Sequence, residues 1–354
     1  MSKLTPEFMK RYLDAKGWKT RTAIYRKFHD QAGHTAKGNV IILHGYRGHV
    51  RAPHFKELAN LFDDEFFNVV TCDLPNFGRS VPLDPKYRGQ IPSFDALIEV
   101  AKAMTYAILT SRSKNRVPTF LIGYSVGALT ILRFLEKYLG IQRFIAGVVF
   151  ISLPLHVEQN ADERILRYRH VLEPLFGILA HALPHMPVAK YAPDEFSQTD
   201  ADHFKGDMSA VTANEILRAS KKARESVGRI NISALFVHGA LDYVAPLSSV
   251  MDAYHGIATI PELKQIIVYN EVDHYVLQRH RKAIIDIVEW VKVRAEANPT
   301  LPIQNDEFSE GLIERSVREL FVIVFSALAQ ILLLFWGVTQ GTYQRFRASV
   351  RRLF

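Results

Sequence analysis

The stretch Gly123-Tyr-Ser-Val-Gly127 decides the fold of this chain, because it joins two segments of opposite character. The short apolar run 119–122 before it is typical of a buried strand, and the apolar spacing of 128–139 after it predicts a helix. A serine at so sharp a strand-to-helix turn has a strained backbone, and glycines two positions before and after it leave room for the turn. We expect Ser125 to be a nucleophile rather than a structural turn residue.

The pattern around this turn repeats along the chain. Short runs rich in β-branched or aromatic residues alternate with longer amphipathic stretches, which predicts a mostly parallel sheet with helices on both faces. The predicted strands are 40–43, 69–72, 119–122, 148–151, 235–237 and 266–269, with 20–28 as a candidate edge strand. Reactive groups of such sheets gather beyond the carboxyl ends of the strands. We therefore expect the chemistry in the turns that follow them.

Two of these turns carry an acid and a histidine. Asp242 follows the strand 235–237, and His274 follows the strand 266–269. A serine is a poor nucleophile at neutral pH and needs a base, which in turn needs a group that holds its tautomer. The chain order Ser125, Asp242, His274 is the order in which this type of fold presents its catalytic residues. The sequence predicts these three as the catalytic triad.

Other acids and histidines, and the cysteine, are expected to have structural and not catalytic roles. Asp273 and Glu271 are nearer to His274 in sequence than Asp242 is, but an immediate neighbour points elsewhere in most turns. His280 is expected on the following helix, and Asp207 and Asp252 stand in helix or loop contexts. Cys72, the only cysteine, ends an apolar run and is interpreted as a small core residue.

Ester or amide hydrolysis also needs preorganised donors for the developing oxyanion. The glycine-bearing turn His44-Gly-Tyr-Arg-Gly-His49 follows the strand 40–43 at the same predicted edge. We expect the backbone amides of Tyr46 and Val126 to form the oxyanion hole. His44 is expected to support this loop rather than to transfer protons.

These motifs together resemble the monoacylglycerol lipase-like, lysophospholipase-like branch of the α/β-hydrolase superfamily, over about residues 38 to 293. The likeness rests on the turn 44–49, the loop Asp73-Leu-Pro-Asn-Phe-Gly-Arg-Ser80, the serine turn, Gly239-Ala-Leu-Asp242 and His274-Tyr-Val-Leu277. The branch commonly has Gly-His-Ser-Met-Gly-Gly at the serine and Gly-His where Asn76-Phe77 stands here. The resemblance implies serine hydrolase chemistry. The two differences from the branch's motifs are expected to change the shape of substrate that the site accepts, and not the chemistry.

Domain boundaries are predicted where the alternation of strands and helices is interrupted. Nearly eighty residues separate the strands 148–151 and 235–237, which predicts an inserted cap over about 153–230 within a hydrolase domain of residues 1–298. Leu172, Leu175, Phe176, Leu179 and Leu183 recur at helical spacing in this insertion. The helix they predict either covers the sheet as a cap or packs on the core.

The end of the chain predicts a membrane anchor. A linker and juxtamembrane segment (299–319) precedes residues 320–338, which carry no charge over nineteen positions and would span about 28 Å as a helix. The basic tail 339–354 follows. Its arginines favour a cytosolic tail, whereas the absence of a secretory signal favours a cytosolic enzyme domain. We expect a single-pass C-terminal anchor with a cytosolic catalytic domain; a monotopic or hairpin insertion would satisfy both observations.

Composition and charge exclude other classes. The formal net charge is +8, and half of it lies in four arginines of the last ten residues. No basic stripe or nucleic-acid motif occurs in the body, so nucleic acid is not an expected partner. No cofactor or metal is expected, because one cysteine excludes the usual cysteine-rich zinc sites.

The fold class predicted is thus an α/β-hydrolase fold with a helical cap insertion and a C-terminal membrane helix. The expected activity is that of a serine carboxylester hydrolase that cleaves a lipid ester, either a monoacylglycerol or a lysophospholipid, through an acyl-enzyme. A peptidase, amidase or thioesterase on the same triad is the alternative within enzymes. An inactive, membrane-anchored binding or scaffold protein is the alternative of another class.

Overall fold

A computed structural model of the chain describes residues 24–27, 36–110, 117–157 and 169–297. The chain divides into two units, Met1–Pro302 and Ile303–Phe354, and the described residues all belong to the first. The predicted linker 299–319, membrane helix 320–338 and basic tail 339–354 lie outside the described residues. Within the described ranges, no helix is long and apolar enough to cross a bilayer.

A seven-stranded sheet forms the centre of the described domain. Its strands are β1 (Ile24–Lys27), β2 (Gly38–Leu43), β3 (Phe67–Cys72), β4 (Thr119–Tyr124), β5 (Gly147–Ile151), β8 (Ala234–Gly239) and β9 (Lys264–Tyr269). They lie in the order β1-β3-β2-β4-β5-β8-β9. Only β1 is antiparallel to its neighbour, with Ile24 opposite Cys72, and the other pairs are parallel. The predicted mostly parallel sheet is confirmed.

Helices cover both faces of this sheet. The helices outside the insertion are α1 (Pro53–Asp64), α2 (Phe94–Leu109), α3 (Val126–Lys137), α6 (Leu247–Gly256), α7 (Val276–Arg279) and α8 (Arg281–Ala297). Val40 and Ile42 of β2 belong to one hydrophobic cluster with residues of α1 and α8, whereas Ile41, equally buried, points to the opposite face. Because successive strand residues alternate between faces, both faces of β2 are covered, as the apolar runs predict.

Residues 152–233 lie between β5 and β8 and include α4 (Arg169–Ala182), the short strands β6 (Pro187–Ala189) and β7 (Met208–Ser209), and α5 (Ala210–Ser226). α5 packs against α3, and α4 packs against α5. The apolar stripe predicted here is covered only in part. Phe176 and Leu179 are half-buried, but Leu175 and Leu183 are 55% and 53% exposed, and Ile178 between them is 67% exposed. Helical spacing identified an apolar face but did not show whether protein covers it.

Candidate active site

Ser125 occupies the sharp turn between β4 and α3. Its backbone has φ 53° and ψ −117°, a conformation that costs on the order of 1–3 kcal/mol for a residue with a side chain. The N–H of Ser125 donates to the carbonyl oxygen of Ile151 at 2.8 Å, which ties the turn to β5. A strained residue held in this way presents its hydroxyl above the sheet edge, as the sequence predicts.

The two glycines beside this serine are required by close backbone approaches. A Cβ on Gly127 would lie 2.3 Å from the carbonyl oxygen of Leu43, and one on Gly123 would lie 2.6 Å from the backbone nitrogen of Ala128. Separations below about 3 Å are not tolerated without movement of the backbone. The glycine spacing therefore reflects the packing of α3 against the ends of β2 and β4.

The structure brings the three predicted triad residues together, although they are distant in sequence. The Nε2 atom of His274 lies 3.0 Å from Oγ of Ser125, and its Nδ1 atom lies 2.8 Å from Oδ2 of Asp242. The three side chains are buried. Because the carboxylate accepts from Nδ1–H, Nε2 is left without a proton and can accept from the serine hydroxyl. This is the arrangement that general-base activation of a serine requires.

The loop after β8 directs the carboxylate of Asp242. Backbone N–H groups of Val244 and Ala245 each donate to Oδ1 of Asp242 at 2.8 Å. With Oδ1 occupied in this way, Oδ2 is the oxygen that faces His274. The competing acid Asp273 instead accepts from the backbone N–H of Tyr275 at 3.0 Å and faces Arg279. Sequence proximity to His274 therefore does not place Asp273 on the imidazole.

Tyr124 and Ser152, for which the sequence predicts no role, hydrogen-bond the backbone of the His274 turn. The hydroxyl of Tyr124 donates to the carbonyl oxygen of His274 at 2.7 Å, and its ring stacks on the imidazole at 5.7 Å. Ser152 donates to the same oxygen at 3.3 Å. Burial raises the pKa of Tyr124 well above its usual value, so the phenol keeps its proton and remains a donor.

His238 is a second contributor that sequence reasoning missed. It is fully buried at the end of β8, and its Nε2–H donates to the carbonyl oxygen of Ala245 at 3.0 Å. The same nitrogen lies 3.8 Å from Oδ2 of Asp242. Burial lowers the pKa of His238, which keeps the ring neutral beside the carboxylate. Only its position directly before the glycine-bearing acid turn 239–242 could have singled it out.

The two predicted oxyanion donors belong to two segments that meet at Ser125. Val126 is the first residue of α3, so its N–H has no intrahelical acceptor. Tyr46 lies in the turn after β2, where a Cβ on the adjacent Gly45 would be 3.1 Å from Cβ of Ser125. Within the described part of the chain, no oxygen accepts from the N–H of either Tyr46 or Val126. Both amides are thus available near the serine.

His44 joins the turn 44–49, where the oxyanion hole is predicted, to the loop after β3. Its Nε2 accepts from the N–H of Leu74 at 2.8 Å, so the proton is on Nδ1, which donates to the carbonyl oxygen of Gly45 at 2.7 Å. Complete burial lowers the pKa of His44 to about 4. A neutral imidazole with both nitrogens engaged supports the loop, in line with its predicted role.

The loop 73–80 is organised around its first residue. Asp73 accepts from the backbone N–H groups of Val50 at 2.9 Å and Arg79 at 2.7 Å. Gly78 has φ 51°, and a Cβ there would lie 2.4 Å from Cγ of Asp73. Asn76 has φ 71°, so asparagine adopts the left-handed conformation where the resembling branch has glycine. The departure from the motif therefore preserves the backbone of the loop.

The remaining polar candidates have structural positions. Cys72 is buried beside Met104, with its Sγ 3.2 Å from Sδ of that residue, and burial raises its pKa. Asp207 accepts from the N–H of Tyr191, and Asp252 pairs with His156 at 2.6 Å. His280 lies between α7 and α8 and contacts the ring of Tyr269.

The fold and this arrangement define the class of the protein, which is an enzyme of the serine hydrolase type on an α/β-hydrolase fold. The model of the family described as serine aminopeptidase, S33, matches residues 34–279, and the chain belongs to that family. The α/β-hydrolase membership that the motifs suggested is confirmed.

Known proteins similar to the chain include esterases and lipases. Caffeoylshikimate esterase of Arabidopsis thaliana is 24% identical over 269 residues, which are 72% of this chain and 77% of that protein. The monoacylglycerol lipase structure from Paleococcus ferrophilus has a TM-score of 0.61 at 19% identity, covering 77% of this chain and 99% of its own. A soluble variant of monoglyceride lipase from Saccharomyces cerevisiae, in complex with a substrate analogue, has a TM-score of 0.63 at 12% identity, covering 78% and 92%. The chain is thus similar to esterase- and lipase-type α/β hydrolases.

Proposed function

We propose that the protein is a serine carboxylester hydrolase that cleaves a lipid ester, either a monoacylglycerol or a lysophospholipid, with Ser125, His274 and Asp242 as its catalytic residues. One observation carries this proposal. The Oγ atom of Ser125 lies 3.0 Å from Nε2 of His274, whose other nitrogen lies 2.8 Å from a carboxylate oxygen of Asp242. A serine in this setting can lose its proton to the imidazole as it attacks a carbonyl carbon.

The reaction proceeds through an acyl-enzyme. Oγ of Ser125 attacks the ester carbonyl while Nε2 of His274 takes the hydroxyl proton, and the N–H groups of Tyr46 and Val126 donate to the oxyanion. Collapse of this intermediate breaks the bond to the alcohol oxygen, which receives the proton from His274. Water then attacks the acyl carbon while His274 takes its proton. The bond to Oγ of Ser125 breaks, Oγ receives the proton from His274, and the carboxylic acid is released. Asp242 stabilises the imidazolium in both halves.

Two features support a lipid ester over a soluble one. The side chains of Leu175 and Ile178 on α4, and of Leu183 just after it, are exposed, which gives the insertion an apolar surface. Each methylene of a fatty chain buried against such a surface contributes about 0.8 kcal/mol. The relatives whose names include monoacylglycerol or monoglyceride lipase agree with this substrate class.

Anchoring to a membrane belongs to the same proposal. The uncharged stretch 320–338 would hold the enzyme where lipid esters partition, with the catalytic domain in the cytosol. Extraction of membranes with alkaline carbonate, with and without residues 320–354, tests this directly. The full chain is expected to stay in the membrane pellet and the shortened chain to be released. Recovery of the full chain in the soluble fraction would contradict the anchor.

An ester of an aromatic acid is the second candidate. One relative is named caffeoylshikimate esterase, and aromatic side chains of the turn 44–49 and of the insertion lie around Arg47. There the guanidinium of Arg47 lies 5.1, 5.0 and 5.7 Å from the ring centres of Tyr46, Tyr191 and Phe204. An aromatic acyl group would pack against such rings.

A substrate panel separates these readings. Monoacylglycerol, lysophospholipid, a hydroxycinnamoyl ester, an acyl thioester and an aminoacyl amide are assayed side by side with wild type and Ser125→Ala. We expect the highest kcat/KM with a lipid ester and labelling of wild type, but not of Ser125→Ala, by a fluorophosphonate. A preference for the amide or the thioester would replace the ester assignment, and an intact wild-type protein that neither labels nor hydrolyses any substrate would refute it.

A further inference from the structure

A segment of the insertion, residues 191–207 between β6 and β7, contacts two separate parts of the candidate site, and we name it the strap. Near one end, Glu195 lies 3.5 Å from Arg279, and the ring of Phe196 packs at 6.1 Å from that of Tyr275, next to His274. Near the other end it contacts the turn that follows β2. The strap therefore reaches both the loop that carries His274 and the turn 44–49, which we call the oxyanion turn.

The contacts at the oxyanion turn centre on Arg47, the neighbour of Tyr46. The backbone N–H of Phe204 donates to the carbonyl oxygen of Arg47 at 3.0 Å. The guanidinium of Arg47 donates back to the carbonyl oxygens of Phe204, at 3.4 Å, and of Gly206. Main chain and side chain of one turn residue are thus both joined to the strap.

Two further contacts reinforce this junction. Nδ1 of His49 accepts from the N–H of Arg51 at 3.2 Å, so Nε2–H is the donor that meets Oδ2 of Asp200 at 2.6 Å. Arg51 forms an ion pair with Asp202. His49 is almost fully buried, so this hydrogen bond is shielded from water. The strap is consequently held at Arg47 and at two residues that follow it.

The backbone of Arg47 shows why the turn needs such a tether. Its φ of 65° lies in the left-handed region, which is unfavourable by about 1–2 kcal/mol for a residue other than glycine. Hydrogen bonds to the strap offset this cost. Without them the turn can relax, and relaxation moves the Tyr46 amide that precedes it. An oxyanion donor acts only when it lies about 2.7–3.1 Å from the charged oxygen.

We propose that Arg47 is a positioning residue that, through its bonds to the strap, holds the amide of Tyr46 at the oxyanion site. The inference rests on the proposed function, because it concerns the oxyanion of that reaction. It makes the insertion part of the catalytic geometry and not only a cover for the substrate. Its contribution is made in the transition state, so it changes kcat rather than KM.

The test compares Arg47→Ala and Arg47→Gly with wild type on p-nitrophenyl acetate, a short ester that makes few contacts with an acyl pocket. We expect kcat to fall about 10–100-fold in both variants, with KM within about twofold of wild type. The inhibition constant of a simple arylboronic acid, whose tetrahedral adduct on Ser125 resembles the intermediate, is expected to rise by the same factor as kcat/KM falls. If Arg47 only stabilised the fold, its substitution would not change kcat/KM and the boronate inhibition constant by the same factor.

Lys205→Ala is the matched control. Lys205 is an exposed cation of the strap, and among the described residues its ammonium donates within the strap alone, to the carbonyl oxygen of Gln198 at 2.7 Å. Its removal is expected to leave kcat and boronate inhibition unchanged. Arg47→Lys is expected to recover part of the loss, because an ammonium can reach one of the two carbonyl oxygens.

Several outcomes overturn the inference while leaving the proposed function intact. Wild-type kcat and boronate affinity in Arg47→Ala would do so, even if its melting temperature fell. So would full activity in Arg47→Gly, since the turn would then keep its conformation without the tether. An increase in KM alone would make Arg47 a substrate-binding residue instead. By contrast, a wild-type protein that neither hydrolyses the ester nor reacts with a fluorophosphonate contradicts the proposed function itself.

Discussion

The hydroxyl of Tyr124 donates a hydrogen bond of 2.7 Å to the carbonyl oxygen of His274, across 150 positions of sequence. The residue immediately before Ser125 therefore holds the turn that carries His274. Because the tyrosine ring also stacks on the imidazole, the distance between Ser125 and His274 depends on this third side chain. The lipase-like branch commonly has histidine at the position of Tyr124. This difference therefore affects how the imidazole of His274 is held.

Replacement of Tyr124 by phenylalanine tests this support. Tyr124→Phe keeps the ring and removes the donor, so we expect unfolding to be easier by about 1 kcal/mol and kcat to fall about 3–10-fold. Steady-state kinetics and urea unfolding measure the two effects. Tyr138→Phe is the control, since it removes a tyrosine hydrogen bond to Glu99 far from the site. An equal loss of kcat in both variants would show that general destabilisation is responsible.

The acid of the triad is tested with Asp242→Asn. The amide oxygen can still accept from Val244 and Ala245, so the loop and the melting temperature should change little. An amide NH₂ facing His274 favours the wrong tautomer, and kcat is expected to fall by about four orders of magnitude. Asp273→Asn, which alters the neighbouring acid, is expected to retain activity within a few-fold. A larger loss in Asp273→Asn than in Asp242→Asn would reverse the assignment of the two acids.

The packing of the nucleophile turn predicts an unequal effect of two similar substitutions. Gly127→Ala would bring a methyl group to 2.3 Å from the carbonyl oxygen of Leu43, which cannot move without breaking the end of β2. We expect a loss of about 3 kcal/mol or more in the free energy of unfolding. Gly140→Ala meets nothing within 4 Å and should change it by less than about 0.5 kcal/mol. Urea unfolding of the two variants gives the comparison.

The buried His44 predicts that stability decreases in acid. Burial lowers its pKa to about 4, against 6.5 for the exposed side chain, so the unfolded state binds the extra proton between these values. The stability contributed by the neutral imidazole is therefore complete above about pH 6.5. It is lost as the pH falls toward 4, by about 3 kcal/mol in total.

The measurement is the free energy of unfolding between pH 4.5 and pH 7 for wild type and His44→Asn. The variant is expected to be less stable at pH 7 but to show a shallower dependence on pH. His255→Asn, at an exposed histidine of α6, should keep the wild-type slope. The assignment fails when the slope of His44→Asn equals that of wild type.

The sequence predicted the six parallel strands because each is a short apolar run that ends in a polar or glycine-bearing turn. Residues 67–72 are completely buried, as such a run requires. The candidate site followed from the same property. Since the carboxyl ends of parallel strands meet at one edge of the sheet, residues that follow β4, β8 and β9 could be paired without knowledge of their distances.

Other features could not be obtained in this way. The periodicity of α4 identified an apolar stripe, yet Leu175 and Leu183 remain exposed, because spacing does not reveal whether another element covers a face. Asn76 takes a left-handed conformation where glycine is usual, which depends on the loop built around Asp73. The tether of Arg47 joins segments about 157 positions apart, and no local pattern marks either end.

The sequence by itself determined the class of fold and the order along the chain of the three side chains that meet at the candidate site, because strand periodicity and a turn that only glycine can flank are local properties of the chain. Only the tertiary structure decided which oxygen of Asp242 faces His274, that Tyr124 holds the turn of His274, and that the strap meets the turn 44–49. Those contacts join residues brought together by packing, and their energies depend on distance and burial, which the order of residues does not record.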